Sequence, residues 1–367
     1  MPPRWFYPLD PVLDPALLPA VREGAAWGLH AGRYYLLGGF DAAYGATTSV
    51  YSYSPLDNAW VTHDPITPAI AQYLAIASVG DWIYFTGPLG SFHRYNPATG
   101  VSEALTASGI GDEHPLVARG SSIYHGVTTP QPRVYDTMVG AWSDTPGVTP
   151  FVSPAPLPGL MADGSTIIVS TQVGATTVVR RWTPLTGAWS DLPTAAVDRW
   201  QPSLVRYRGT LYLIGGVASD GVSPQPGFAT LEAGAPSWTE SPDGDLAAWA
   251  NGVLVGDRFV AAGGYDHVAL APTDTIALYG QPLHVLGASA SVELPIATNV
   301  VLLSVSASVQ GGPGRRLDLL VSSHTGAQRS VNLPIVVSTR DEALVAITDH
   351  SDFDPLDETI IIPPGGA

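Results

Sequence analysis

The sequence predicts an all-β chain, a six-bladed β-propeller followed by a small β-domain. Three observations predict it. A unit of about 45 residues recurs six times between the N-terminus and Gly280. Gly (39) and Pro (34) are abundant while charged residues make up only 13% of the chain, which suits many short strands joined by turns rather than helices. After Gly280 the unit stops and a different pattern of alternating β-rich runs begins.

Each unit reads as an apolar stretch, a glycine turn, a second apolar stretch, Gly-Gly, a loop, a strand with Tyr, and a strand with Trp. Three copies are clear. Gly32-Arg33-Tyr34-Tyr35-Leu36-Leu37-Gly38-Gly39 leads to Tyr53 and Trp60. Gly209 to Gly216 leads to Trp238, and Gly256 to Gly264 leads to Tyr279. Three copies have lost the glycine pair: Gly80 to Tyr95, Gly120 to Trp142, and Gly164 to Trp189. Gly38 and Gly263 stand 225 residues and five intervals apart, a mean period of 45. A fixed period of this length marks a repeat architecture in which one unit cannot bury both faces of its sheet alone. Over residues 3–280 the series resembles the kelch repeat, whose marks are the Gly-Gly pair and the spaced Tyr and Trp. The resemblance implies four antiparallel strands per blade, a to d, arranged around an axis. Gly-Gly is expected to end strand b where neighbouring backbone comes too close for a side chain. The aromatics are expected to fill the space between blades, each with a polar tip free for a hydrogen bond.

The sixth copy ends at Ile276-Ala277-Leu278-Tyr279-Gly280 without a Trp strand. Arg4-Trp5-Phe6-Tyr7-Pro8 resembles the missing piece, so residues 3–7 are expected to close the last blade as its outer strand. Residues 13–23 are expected to make a turn or two of helix before blade 1.

Composition narrows the partners. Sixteen basic residues, all Arg, stand against 32 acidic ones, for a net charge of −16. Such a surface repels phosphate backbones and anionic headgroups, so neither nucleic acid nor membrane insertion is expected. No apolar run approaches a membrane span, and the N-terminus has no signal-peptide core, which points to the cytoplasm or a virion. The absence of Cys excludes disulfides, thiolate metal sites and the Tyr–Cys cofactor that copper oxidases of the kelch type require.

The long loops are those that join b to c and d to a, which in a propeller open on one face. Binding residues concentrate on such loops. Counting back seven residues from the a–b turn glycines places Tyr73, Glu113 and Trp249 in one register. Nearby loops add Tyr44, His63, Asp112, His114, Arg199, Trp200, Asp266 and His267. Tyr, Trp and Arg anchor binding surfaces, and aromatics mixed with carboxylates suit a saccharide. Structural packing of the channel mouth explains the same residues. The ligand-binding candidates are therefore Tyr44, Tyr73, Asp112, Glu113, His114, Arg199, Trp200, Trp249 and His267. No cofactor or metal site is expected, and the sequence holds no nucleophile elbow, zinc-protease motif or phosphate loop. The expected function is a non-enzymatic binding or structural module recognising a glycan or protein surface, a phage tail-fibre component being one such role. The alternative is a carbohydrate-active enzyme such as a sugar mutarotase, for which Asp112-Glu113-His114 is the densest acid–base cluster.

The division falls at 280: residues 1–280 form the propeller and 281–367 a C-terminal β-rich domain. Its runs are Leu283–Leu294, Asn299–Val309, Arg316–Ser322, Ser330–Val337, Ala343–Ile347 and Thr359–Ile362. Six short strands suggest a small β-sandwich or an open barrel. Its Val-, Leu- and Ile-rich runs lead to the expectation that it mediates assembly, with its own copies or in a larger complex. Five carboxylates between Asp349 and Glu358 suggest calcium, but the spacing of a helix–loop–helix site is missing and a solvated acidic loop explains them.

Overall fold

The computed structural model describes residues 16–280 apart from short stretches at 56, 72–73, 112–113, 152–157, 174–175, 197, 208, 219–222, 226, 242–249, 257 and 267–269. It also describes the backbone of residues 7–8, 304–310, 316–322 and 328–334. The chain divides into two compact units, Met1–Pro282 and Leu283–Ala367.

The first unit is a six-bladed β-propeller. Its first strand in the chain, β1 (Tyr7–Pro8), belongs to the last blade. Blade 1 holds β2 (Ala26–His30), β3 (Arg33–Leu37), β4 (Val50–Ser54) and β5 (Ala59–His63). Blade 2 holds β6 (Ala77–Val79), β7 (Trp82–Thr86), β8 (Phe92–Asn96) and β9 (Val101–Leu105). Blade 3 holds β10 (Leu116–Arg119), β11 (Ser122–His125), β12 (Arg133–Asp136) and β13 (Ala141–Asp144). Blade 4 holds β14 (Gly159–Asp163), β15 (Thr166–Val173), β16 (Thr176–Thr183) and β17 (Ala188–Asp191). Blade 5 holds β18 (Ser203–Tyr207), β19 (Thr210–Ile214), β20 (Phe228–Leu231) and β21 (Thr239–Ser241). Blade 6 holds β22 (Asn251–Val255), β23 (Arg258–Ala262), then a minor hairpin of β24 (Tyr265–Asp266) and β25 (Ala271–Pro272), then β26 (Ile276–Gly280). Each blade is an antiparallel sheet in the order a, b, c, d, and in blade 6 strand d is β1.

Two residues join strand a to strand b in every blade, the tight hairpin that a glycine with positive φ permits. Strand b lies between a and c with neighbouring blades on both faces, so its residues are buried on both sides. That is why Tyr34 to Leu37, Leu211 to Ile214 and Phe259 to Ala262 read as unbroken apolar runs. Strand d, at the rim, instead carries exposed residues and no fully buried one in blades 1 and 4.

The core is six wedges, one at each interface between adjacent blades. Between blades 6 and 1, Tyr34, Tyr53 and Leu36 meet Val255, Val260 and Leu278. Between blades 3 and 4, Tyr124 and Val117 meet Ile167 and Trp182, and Trp182 stacks on Trp189 with centroids 5.7 Å apart. The rim tryptophans place their polar tips as expected. The indole Nε1 donates to a backbone carbonyl in three blades: Trp60 to Ala16 (2.7 Å), Trp142 to Thr106 (2.7 Å) and Trp238 to Pro193 (2.6 Å).

The ring closes through the N-terminus: Tyr7 pairs with Gly280 and Pro8 with Tyr279. Residues 3–6 of the expected closing strand lie outside the described residues. The helix expected before blade 1 does not form over residues 16–24. Instead Leu18 N donates to Asp274 O and Arg22 N to Thr273 O, so amides that a helix would use internally are taken by a loop of blade 6.

The second unit is described as one antiparallel sheet of β27 (Ser304–Gln310), β28 (Arg316–Ser322) and β29 (Gln328–Pro334). The other strands expected there, and the Asp349 to Glu358 segment, lie outside the described residues.

Candidate functional site

The long loops do gather at one end of the propeller, and backbone bonds join them. In blades 1, 5 and 6 the connection from b to c is pinned by a connection from d to a. Glu23 and Phe40 exchange amide–carbonyl bonds (3.2 and 2.7 Å), as do Trp200 and Val217 (2.7 and 3.0 Å). Gly39 N donates to Ile70 O (2.7 Å) and Gly264 N to Arg22 O (2.9 Å) across blade boundaries. The glycine pairs make this possible. Gly38–Gly39, Gly215–Gly216 and Gly263–Gly264 all have positive φ, between 65° and 105°. A Cβ on Gly38 would stand 2.3 Å from the Ile70 carbonyl oxygen, and one on Gly263 2.5 Å from that of Arg22.

Two arginines occupy matching places in this stitching, one residue before Glu23 and one before Trp200. Arg199 is buried, and its Nη1 donates to the carbonyls of Gly215 (2.9 Å), Gln225 (3.1 Å) and Gly227 (2.9 Å). Glu240 lies 3.5 Å from its Nη2. Burial lowers its pKa, and Glu240 opposes the shift. Arg22, also buried, donates to Val21 O (2.6 Å) and to Ser49 Oγ (2.9 and 3.1 Å). Arg199 holds the ends of strands b and c of blade 5 together, and Arg22 ties its connection to strand c of blade 1 through Ser49 and the Tyr51 hydroxyl (3.3 Å). The structure thus gives Arg199 a post inside blade 5.

Blade 3 is built differently. The connection into its strand a and its own b–c loop enclose an open cleft of about 470 Å³. Ser108, Gly109, Ile110, Gly111 and His114 line one side, Thr129, Pro130, Gln131 and Arg133 the other. Arg133 Nη1 donates to Ser108 O (2.7 Å), and its Nε is 3.3 Å from Asp144 Oδ1. Gly111 has open space where a Cβ would stand.

Beneath the cleft Ser108 Oγ lies 2.7 Å from His125 Nδ1, a serine–histidine contact that sequence reading did not find. The two are 17 residues apart on a loop and a strand, and no motif links them. Both are buried, and Ser108 Oγ also accepts Ile110 N–H (3.1 Å). Burial, reinforced by His114, pushes the His125 pKa down to about 3. So weak a base is poorly matched to activating a hydroxyl near neutrality. The pair anchors the loop that walls the cleft.

Of the residues the sequence singled out, His114 is buried against the cleft with its ring 6.3 Å from that of His125. Trp200 is half-buried and held through its backbone. His63 is half-buried with Nε2 2.8 Å from Ser52 Oγ, and Asp266 is exposed on β24. Tyr44 is exposed at the b–c tip of blade 1, and its hydroxyl donates to Leu270 O (3.2 Å). Hydrogen bonding with the Tyr265 hydroxyl pushes its pKa up to about 12. Tyr73, Asp112, Glu113, Trp249 and His267 lie outside the described residues, and with them the register expected for Tyr73, Glu113 and Trp249. Among the described residues no three His, Cys, Asp or Glu are placed to hold a metal ion, and no helix is long and apolar enough to cross a membrane.

No protein-family model matches the sequence, and no curated protein matches it. What the fold and site establish is a six-bladed β-propeller whose long loops meet at one end and leave an open cleft of mixed polar and apolar lining in blade 3.

Proposed function

We propose that this chain is a binding module built on a kelch-type repeat, and that the end where its long loops gather recognises a ligand without transforming it. The observation that carries this reading is the blade 3 cleft. Its wall carries the hydroxyl, amide and guanidinium groups of Thr129, Gln131 and Arg133 beside Ile110 and Pro130, while the Ser108 hydroxyl is turned to His125. Few polar groups among apolar ones is the usual make-up of a small-ligand site, and this mixture suits the hydroxyls and ring faces of a saccharide. The buried, weakly basic His125 gives no support to a catalytic role.

A glycan array with the full chain, followed by calorimetry on any sugar that binds, tests the reading. Gly111→Trp fills the cleft from a position with room for a side chain. Binding by the wild type and its loss in that variant, with unchanged melting, is the expected result. Sugar turnover abolished by Glu113→Gln would transfer the case to the enzyme alternative.

A further inference from the structure

The b–c tips of blades 6, 1 and 2 share a feature that the fold does not require. Each carries a large apolar residue in the left-handed backbone region: Leu270 (φ 52°), Tyr44 (φ 57°) and Leu89 (φ 59°). Bulky residues avoid that region, where glycine or asparagine would sit with less strain. All three side chains are exposed: Leu270 by 67%, Tyr44 by 50% and Leu89 by 98%. The tips are held in shape. Asp41 Oδ1 accepts the amides of Ala43 and Gly45 (2.9 Å each), and Tyr44 N donates to Asp41 O (2.9 Å). In blade 2, Gly87 N donates to Ser91 O (2.7 Å) and Ser91 N to Pro88 O (3.2 Å). The Tyr44 hydroxyl ties the blade 1 tip to that of blade 6.

The charge on these tips has one sign. The loops 40–49, 87–91 and 265–275 contain Asp41, Asp266 and Asp274 and no Arg. The two arginines closest in sequence to the stitching of this end, Arg22 and Arg199, are buried and bonded to the fold's own groups. The amides of Gly45 and Ala43 hold the Asp41 carboxyl below the usual carboxylate range.

We propose that the tips of blades 6, 1 and 2 form a docking surface for a protein segment that presents aliphatic or aromatic side chains among Arg or Lys. This rests on the reading of the long-loop end as the binding face and names a second ligand class for it, beside the cleft. Two exposed leucines offer nothing that stacks on a sugar ring, and the acidic, Arg-free setting complements a basic partner. A second copy of this chain, also at −16, meets repulsion there.

The test selects random twelve-residue peptides on the immobilised full chain and measures the winners by calorimetry. The selected peptides are expected to combine Arg or Lys with Leu, Phe or Trp. Tyr44→Asn, Leu89→Asn and Leu270→Asn combined should weaken binding at least tenfold without lowering the melting temperature, because Asn accepts the left-handed backbone more readily. Gly111→Trp should leave peptide binding intact, which separates this surface from the cleft. Selection of acidic or purely polar peptides, no selection, or binding indifferent to the triple variant would overturn the proposal. So would a melting temperature lowered by the triple variant, which would make the three side chains structural. Binding of zwitterionic lipid vesicles, or concentration-dependent dimers lost in the triple variant, would give the surface to a membrane or a second copy instead.

Discussion

Blades 1, 5 and 6 keep the glycine pair, and blades 2, 3 and 4 have lost it; their long-loop ends differ accordingly. Where the pair is kept, two left-handed glycines let neighbouring backbone approach and bond, and the end is stitched shut. Where it is lost, the end takes another form. Blade 2 has a three-residue 3-10 turn at Pro88–Gly90, blade 3 the open cleft, and blade 4 a hairpin of two eight-residue strands. The repeat signal is therefore strongest where the chain serves packing, and the cleft lies where it is weakest.

The largest effect expected from this contrast comes from adding a side chain at a stitched end. Gly38→Val meets both the positive φ and the Ile70 carbonyl and should cost on the order of 3 kcal/mol in urea unfolding. Gly111→Ala in blade 3 should stay within about 0.5 kcal/mol. Equal losses at the two sites would dissolve the distinction.

Next in size is Arg199→Met, which strands three carbonyls and the partly buried Glu240 and should cost about 3 kcal/mol. Arg133→Met in the cleft wall, on a part-exposed side chain, should cost about 1 kcal/mol.

Acid divides the ring along a different line. His30, His63, His93 and His125 lie in blades 1 to 3, and burial lowers the pKa of each. Each also has a ring nitrogen within 2.9 Å of a serine hydroxyl. Asp81 opposes the shift at His30 and Asp64 at His63. With folded pKa values below the unfolded 6.5, the unfolded chain takes up protons first. Their contribution is thus complete above about pH 6.5 and is lost as pH falls toward the folded values, about 3 for His125. Amide protection factors, referred to the intrinsic exchange rate at each pH, should fall between pH 7.5 and pH 5 in blades 1 to 3 before blades 4 and 5, and His125→Gln should flatten the dependence.

The smallest expected effect marks what the two groups of blades share. Trp60→Phe, Trp142→Phe and Trp238→Phe each remove one indole hydrogen bond and should each cost about 1 kcal/mol, whether or not the blade keeps its glycines. A much larger loss in blade 3 alone would mean that its outer strand carries load that the lost pair once carried.

Most of the fold was legible because its signals are local. Gly-polar turns, double-faced apolar runs and the spaced Tyr and Trp each report on a few residues, and six copies in series fixed the architecture. Closure by the N-terminus followed from a missing piece at Gly280, though of the expected strand 3–7 only Tyr7 is among the described residues, and the pairing runs on to Pro8. The site was less legible because it depends on distances across the ring. Arg199 reads like a surface anchor, and only the carbonyls of Gly215, Gln225 and Gly227 show it to be internal. Ser108 and His125 meet through blade geometry, which no spacing encodes. The strained tips at Tyr44, Leu89 and Leu270 left no mark, since the residues that would announce a left-handed turn are absent there.

The closure of blade 6 has a consequence for synthesis. Tyr7 and Pro8 leave the ribosome roughly 270 residues before Tyr279 and Gly280, their partners, which at typical elongation rates of about 5–20 residues per second means an interval on the order of tens of seconds. For that time the last blade does not exist and the first has a bare flank where Val255, Val260 and Leu278 will lie. Nascent chains stalled before β26 should therefore be the sticky, protease-sensitive species, and a single late segment should convert an open arc into a closed ring.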